Sequence, residues 1–238
     1  MNKIITIQSS MTLGTLALLG FATTAVSAQL VTSYSGDAYV IRQDENSNAR
    51  VYGDTGALPA GGGSLTGSQG SFTDTYNFTT LTGGTTATTG GGGNADSSAT
   101  VTGFHFDDFV GDTISFDGAT ALSHADAGGV TGSVLFTNLF VDGVAYTNPV
   151  APNTVISLNS YNGTITLNKQ IDASVAGHNE ITVQGVDIYA GGFFEINAGV
   201  ANSDLTFTPA AATPEPGSIA LLVGMTTVGA SVLRRRRK

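Results

Sequence analysis

The sequence contains no cysteine and no tryptophan, and charged residues make up only 11% of its 238 positions. Without cysteine, disulfides and thiolate metal centres are excluded, so stability must come from burial and backbone pairing. Export is still compatible, because oxidising compartments permit disulfides without requiring them. Scarce Glu, Lys and Arg disfavour long soluble helices, which draw on those residues together with Leu and Ala. Basic residues are scarcer still in the middle of the chain. Arg42, Arg50 and Lys169 are the three between Gln29 and Thr213, against 17 carboxylates from Asp37 to Asp204, a net of −14. A surface of that sign repels a phosphate backbone, which excludes nucleic acid as a partner. Its plainer consequence is solubility. What the chain has in quantity is glycine, 32 residues, with abundant Thr and Ser. That mix suits strands joined by many turns.

The two ends differ in kind from the middle. Lys3 gives a weakly positive start, Met11 to Phe21 forms an apolar core of 11 residues, and Val26-Ser27-Ala28 places small residues where a signal peptidase reads. Residues 1–28 therefore read as a signal peptide, helical in its apolar core and cut after Ala28. The other end runs Pro214-Glu215-Pro216-Gly217, then an uncharged stretch from Ile219 to Leu233, then Arg234, Arg235, Arg236, Arg237 and Lys238. Fifteen residues at the helical rise reach roughly 22 Å, short of a ~30 Å hydrocarbon core. Snorkelling arginines and local thinning make such a helix a marginal span, with the basic cluster on the cytoplasmic side. A marginal span suits a temporary stop better than a permanent anchor.

Between the ends, about 185 residues suffice for one domain with a sizeable core. Alternation is the recurring pattern. Ile114 and Phe116 alternate with Thr113, Ser115 and Asp117; Ile165 and Leu167 alternate with Thr164, Thr166 and Asn168; Phe72, Tyr76 and Phe78 share one parity. Period two marks strands with one buried face. Val134–Val141 and Ile181–Ile188 are apolar on both parities, and in the second the parity changes at Gly185, which predicts a bulge there or burial on both sides. Asp117-Gly118, Asp142-Gly143, Asn162-Gly163 and Gly191-Gly192 read as turns. Ala60–Gly70 and Thr79–Asn94 are low in complexity, and the second reads as a mobile, threonine-rich loop open to glycosylation. The expected fold is all-β, an antiparallel β-sandwich with Gly/Thr-rich loops, flanked by the signal helix and the C-terminal apolar helix. A β-solenoid is the alternative, but no fixed repeat period supports it.

Few residues carry recognisable chemistry. Asp107, Asp108, Asp112 and Asp117 form the densest acidic cluster. Calcium needs several oxygens at close range, which such a turn can supply, although the spacing fits neither an EF-hand nor a calcium-binding nonapeptide repeat. The competing reading is a solvated loop at strand ends, with no cofactor. His105, His124 and His178 show no metal spacing, and His105 between Phe104 and Phe106 belongs on the polar face of a strand. Ser123-His124-Ala125-Asp126 holds the residue types of a triad, which only spatial geometry can define. Among seven tyrosines, Tyr161 is expected to be exposed and able to meet a sugar. No catalytic residue stands out, and the chain reads as a non-enzyme.

Two resemblances bear on these features. Pro214 to Lys238 resembles the PEP-CTERM sorting signal of exosortase substrates, with its PEP triplet, apolar segment and arginine-rich end in order. That implies a bacterium with a two-membrane envelope that makes extracellular polysaccharide. It further implies transient anchoring in the inner membrane, release by an exosortase, and delivery to the cell surface or extracellular matrix. The segment PNTVISLNSYNGTITLNKQ (Pro152–Gln170), then ITVQGVDIYAGG and EINAGVANSDLTF within Ile181–Phe207, resembles the choice-of-anchor P family, and SYSGDAYVIR (Ser33–Arg42) fits its opening more loosely. This implies a β-rich exported body followed by an anchor, and no particular chemistry. The expected organisation is thus a signal peptide (1–28), a β-rich extracellular domain (29–213) and a sorting tail (214–238). The expected role is a structural or interaction protein associated with exopolysaccharide. Its alternative is a carbohydrate-binding module, calcium-assisted or not.

Overall fold

Short alternating segments separated by glycine-rich turns leave the chain little choice but strands, and the computed structural model bears this out. It describes residues 29–45, 48–75, 79–108, 111–159 and 162–209. Residues 1–28, expected to be a signal peptide, and the expected sorting tail from Pro214 to Lys238 lie outside the described residues. In chain order the strands are β1 (Leu30–Glu45), β2 (Asn48–Tyr52), β3 (Gly63–Gln69), β4 (Phe72–Asp74), β5 (Thr79–Leu81), β6 (Gly83–Gly91), β7 (Asn94–Asp107) and β8 (Thr113–Asp126). They continue with β9 (Gly129–Thr137), β10 (Leu139–Val141), β11 (Val144–Tyr146), β12 (Thr154–Ser157), β13 (Thr164–Asp172), β14 (His178–Tyr189) and β15 (Phe194–Thr208). Among the described residues there is no helix, and none therefore that could cross a membrane.

One sheet runs β12-β13-β14-β15-β1-β2. In the other, β7 and β8 are central; β7 pairs with β6 along one half and β5 along the other, while β8 pairs with β9 and β10 in the same divided way. Every pairing is antiparallel. The sheets face each other across a main core and a smaller cluster of Ala95, Ala125, Leu205 and Phe207, in a sandwich-like arrangement with β1 over β6 and β7, and β15 and β14 over β8. Phe104 stacks on Phe116 at 4.9 Å between ring centroids, and Phe116 meets the edge of Phe136 at 5.7 Å. Such ring pairs add about 1 kcal/mol each beyond the area they bury. Two serines pair across the sheets: Ser97 Oγ donates to the Asn202 carbonyl at 2.6 Å, and the Ser123 and Ser203 hydroxyls are 2.8 Å apart.

Each sheet is crossed by a row at which the buried parity changes. In β14, Ile181 and Val183 point inward, then Val186 and Ile188; in β15, Ile196 and Ala198, then Ala201 and Leu205; in β1, Ala38 and Val40, then Ile41 and Gln43. No residue is inserted, because Gln184 faces Val200 and Val186 faces Ala198 on either side of Gly185 and Gly199. The bulge at Gly185 is therefore absent, and the other reading of the pattern holds: Val183 to Ile188 are buried on both faces. Alternate strands instead absorb the change in left-handed backbone, with φ of 48° at Asn168, 64° at Gly199 and 66° at Gly53. The facing sheet does the same at Gly103 (φ 58°) and Asn138 (φ 51°). Asn and Gly are the residues that enter this region at least cost. The row also explains why Val134–Val141 is apolar on both parities: Val134 and Phe136 are buried before Asn138, Leu139 and Val141 after it.

Two further expectations are corrected. Thr79–Asn94 is not a loop but β5, β6 and the Gly92-Gly93 turn into β7. Its threonines are β-branched and fit a pleated surface, and Gly84 sits where the other sheet comes close: a Cβ there would lie 2.5 Å from Val40 Cγ1. Asp117-Gly118 is not a turn but the kink within β8. Asp142-Gly143 does turn, with φ of 50° and 73°, as a two-residue hairpin between β10 and β11. Gly191-Gly192 turns β14 into β15.

Candidate functional site

The divided pairing of β8 leaves the outer face of β6, β7, β8 and β9 as a continuous four-strand surface at one end of the sheet. Residues that alternate away from the core form a trough of about 510 Å³ there, lined by Ala87, Thr89, Asp96, Ser98, Leu122, His124, Thr131 and Ser133 among others. The small side chains leave the backbone low and the hydroxyls near the surface. Leu122 lies along it, 48% exposed.

His124 is the chemical centre of this surface. Its register partner across β7 and β8 is Asp96, and Nδ1 lies 2.6 Å from Asp96 Oδ1. Nε2 lies 3.5 Å from Asp126 Oδ2, two residues along the same strand face. The hydrogen bond to Asp96 raises the imidazole pKa above its ordinary 6.5, against the smaller opposing effect of burial. The arrangement is a histidine held between two carboxylates within a field of hydroxyls. Ser123 points the other way, into the core against Ser203, so Ser123, His124 and Asp126 form no nucleophilic triad. A polar, multiply hydroxylated ligand is what such a surface can bind: hydroxyls that both donate and accept, one charged pair, and one apolar patch.

The four predicted calcium ligands do not converge. Asp107 is exposed at the end of β7. Asp108 is buried and its Oδ1 accepts from the Gly111 and Asp112 backbone N–H groups at 2.8 and 2.9 Å, closing the β7–β8 loop. Asp112, fully buried, accepts at Oδ1 from Asn159 N and Nδ2 at 2.9 and 2.7 Å, fastening that loop to the segment after β12. Asp117 stands in the kink row and accepts from Asn138. These carboxylates hold loops and strands together. Among the described residues, the metal-ligating groups that do converge are His178, Glu180 and Asp204 on β14 and β15.

Sequence reasoning missed both convergences. Asp96 and His124 are 28 residues apart, and Glu180 and Asp204 are 24 apart; only strand register brings each pair together. The one local signal was His178-x-Glu180, two titratable groups on one face of an alternating strand. His105 lies exposed between buried Phe104 and Phe106, as its pattern predicts. Tyr161 lies outside the described residues, while Tyr189 (45% exposed) and Phe193 (63%) stand at the β14–β15 tip. The expected signal-cleavage position Ala28 and the expected sorting-signal positions Pro214, Glu215, Pro216 and Arg234 to Arg237 all fall outside the described residues. Compared with family models, curated proteins and solved structures, the chain finds no match in any of the three.

Proposed function

We propose that the chain is a non-catalytic protein of the bacterial cell surface or extracellular matrix. In this reading a signal peptidase removes residues 1–28 after Ala28. Pro214 to Lys238 then holds the chain in the inner membrane until an exosortase releases it. The β-sandwich between them meets extracellular polysaccharide through the hydroxyl-lined trough on β6 to β9. The observation that carries the proposal is the ordered tail, Pro214-Glu215-Pro216, an apolar segment, then Arg234 to Lys238. It has the length and flanking charge of a temporary stop.

The trough supports an interaction role. It is concave, low-walled and rich in Ser and Thr, and its one histidine is engaged by two carboxylates rather than by a nucleophile. The net charge of −14 over the central region keeps such a protein soluble outside the cell and away from phosphate polymers. Affinity electrophoresis in gels containing the producer's own polysaccharide tests the carbohydrate-binding form of the proposal. Retardation relative to a polysaccharide-free gel supports it. Equal mobility in both removes it and leaves a structural role.

A further inference from the structure

We propose that His178, Glu180 and Asp204 form a binding site for a divalent first-row transition cation, of the zinc or manganese class, on the outer face of the six-stranded sheet. Glu180 and Asp204 are direct register partners on β14 and β15. His178 lies two residues before Glu180 on the same strand face, so the three side chains rise from adjacent positions on two rigid strands. All three are half-buried, which leaves one side open to water or a further ligand.

The spacing favours ligands around an ion over plain ion pairs. His178 Nε2 is 3.4 Å from Glu180 Oε2 and 3.4 Å from Asp204 Oδ1, and one ligand atom from each residue lies within 4.8 Å of the others. Ligands held about 2.0–2.2 Å from a tetrahedral zinc stand roughly 3.3–3.6 Å apart. Charge-assisted hydrogen bonds are shorter, about 2.7–2.9 Å. Two of the protein's ion pairs are short in this way: Lys169 to Asp187 is 2.7 Å and His124 to Asp96 is 2.6 Å. His124 Nε2 to Asp126 is longer, at 3.5 Å, but around His178 two carboxylates meet the same ring nitrogen at ligand spacing.

Neighbours orient the donors. Asn202 Nδ2 donates to Glu180 Oε1 at 3.2 Å and to Thr182 Oγ1 at 2.8 Å, leaving Oε2 for the site. Thr206 Oγ1 lies 3.4 Å from His178 Nδ1, so the other ring nitrogen, Nε2, faces the carboxylates. Outer partners of this kind fix ligand orientation. Asp37, register partner of Asn202 on β1, adds a further carboxylate nearby. Glu180, Asp204 and Asp37 thus place three carboxylates around one imidazole, while Lys169 and Arg42 are engaged with Asp187 and Asp44. One imidazole with two carboxylates suits zinc or manganese; calcium takes six to eight oxygens.

Isothermal titration of the EDTA-stripped full chain with zinc chloride, manganese chloride and calcium chloride tests the site. The expected result is saturable uptake of one zinc or manganese per chain. His178→Gln, Glu180→Gln and Asp204→Asn should each weaken it by about tenfold or more, while His124→Gln on the opposite sheet leaves it unchanged. Thermal melts in EDTA check that the variants fold, and the added cation should raise the midpoint of the parent but not of Asp204→Asn. No saturable uptake, a preference for calcium over both, or uptake that survives His178→Gln and Asp204→Asn overturns the proposal.

Discussion

Asn138, between β9 and β10, donates from Nδ2 to Asp117 Oδ2 in β8 at 2.6 Å, at the point where both strands change their buried face. The asparagine has two roles there: its backbone is left-handed at φ 51°, and its side chain ties the kink of one strand to that of its neighbour. Asn138→Ala should lower stability by about 1–2 kcal/mol, from left-handed strain and one lost exposed hydrogen bond. Asn138→Gly should recover most of that loss, because the backbone term is the larger. Urea denaturation of the three proteins checks this, and equal midpoints for the parent and the alanine variant would contradict it.

Lys169 and Asp187 form the other telling pair, 2.7 Å apart with the Asp187 side chain 6% exposed. Burial raises the Asp187 pKa, and Lys169 works against that rise. Asn197 Nδ2 also donates to Asp187 Oδ1 at 2.7 Å. Removing the cation leaves a buried carboxylate short of its compensating charge. Lys169→Met should cost about 1–3 kcal/mol at pH 7, below the range for fully buried pairs because Lys169 itself is partly exposed. The loss should shrink at pH 4, where Asp187 can take up a proton instead. Denaturation midpoints at the two pH values measure both parts.

Stability of the whole domain should fall as pH rises from 3.8, the ordinary aspartate value, past 6.5, the ordinary histidine value. Asp37, Asp187 and Asp204 are all raised above 3.8, chiefly by burial. Each therefore binds its proton more tightly when folded. That contribution is complete below the unfolded value and is lost as pH climbs through the folded one. His124, raised above 6.5 by Asp96, acts in the same direction at higher pH: its contribution is full below 6.5 and lost above its folded value. Melting temperatures in buffers of constant ionic strength should decline across this interval. A rise would contradict the assignment of these shifts.

Strand identity was largely readable from the residues, and strand geometry was not. Ile114 with Phe116 and Ile165 with Leu167 face the core as their alternation requires. Gly84 and Gly90 within Thr79–Asn94 were opaque because their reason lies elsewhere in the fold, in Val40, Leu58 and Tyr34, which approach too closely for a Cβ. Asp117-Gly118 has the chemistry of a turn, yet it lies inside β8 where the buried face changes, since positive φ at Asn138 and Gly103 on either side lets the strand continue. The trough and the His178 group depend on register between strands far apart in sequence. No local pattern encodes that register; turn lengths and core packing set it jointly.

The trough makes its own prediction. Leu122→Ala and Ser98→Arg should weaken retardation in polysaccharide gels by about threefold or more, a loss near 0.7 kcal/mol, without lowering the melting temperature. Both side chains point outward from paired strands, so folding should tolerate the changes. Tyr189→Ala with Phe193→Ala at the β14–β15 tip should leave binding intact. The reverse pattern would move the contact to that aromatic tip.

Transport out of the cell and release of the tail form the centre of the account, and intact-mass analysis of the protein recovered from the surface fraction of producing cells tests them most directly. The account predicts a chain that begins at Gln29 and ends close to Pro214, and that is missing from that fraction when Arg234 to Arg237 are changed to glutamine. A full 238-residue chain, found in the cytoplasm and unaffected by those changes, would contradict it.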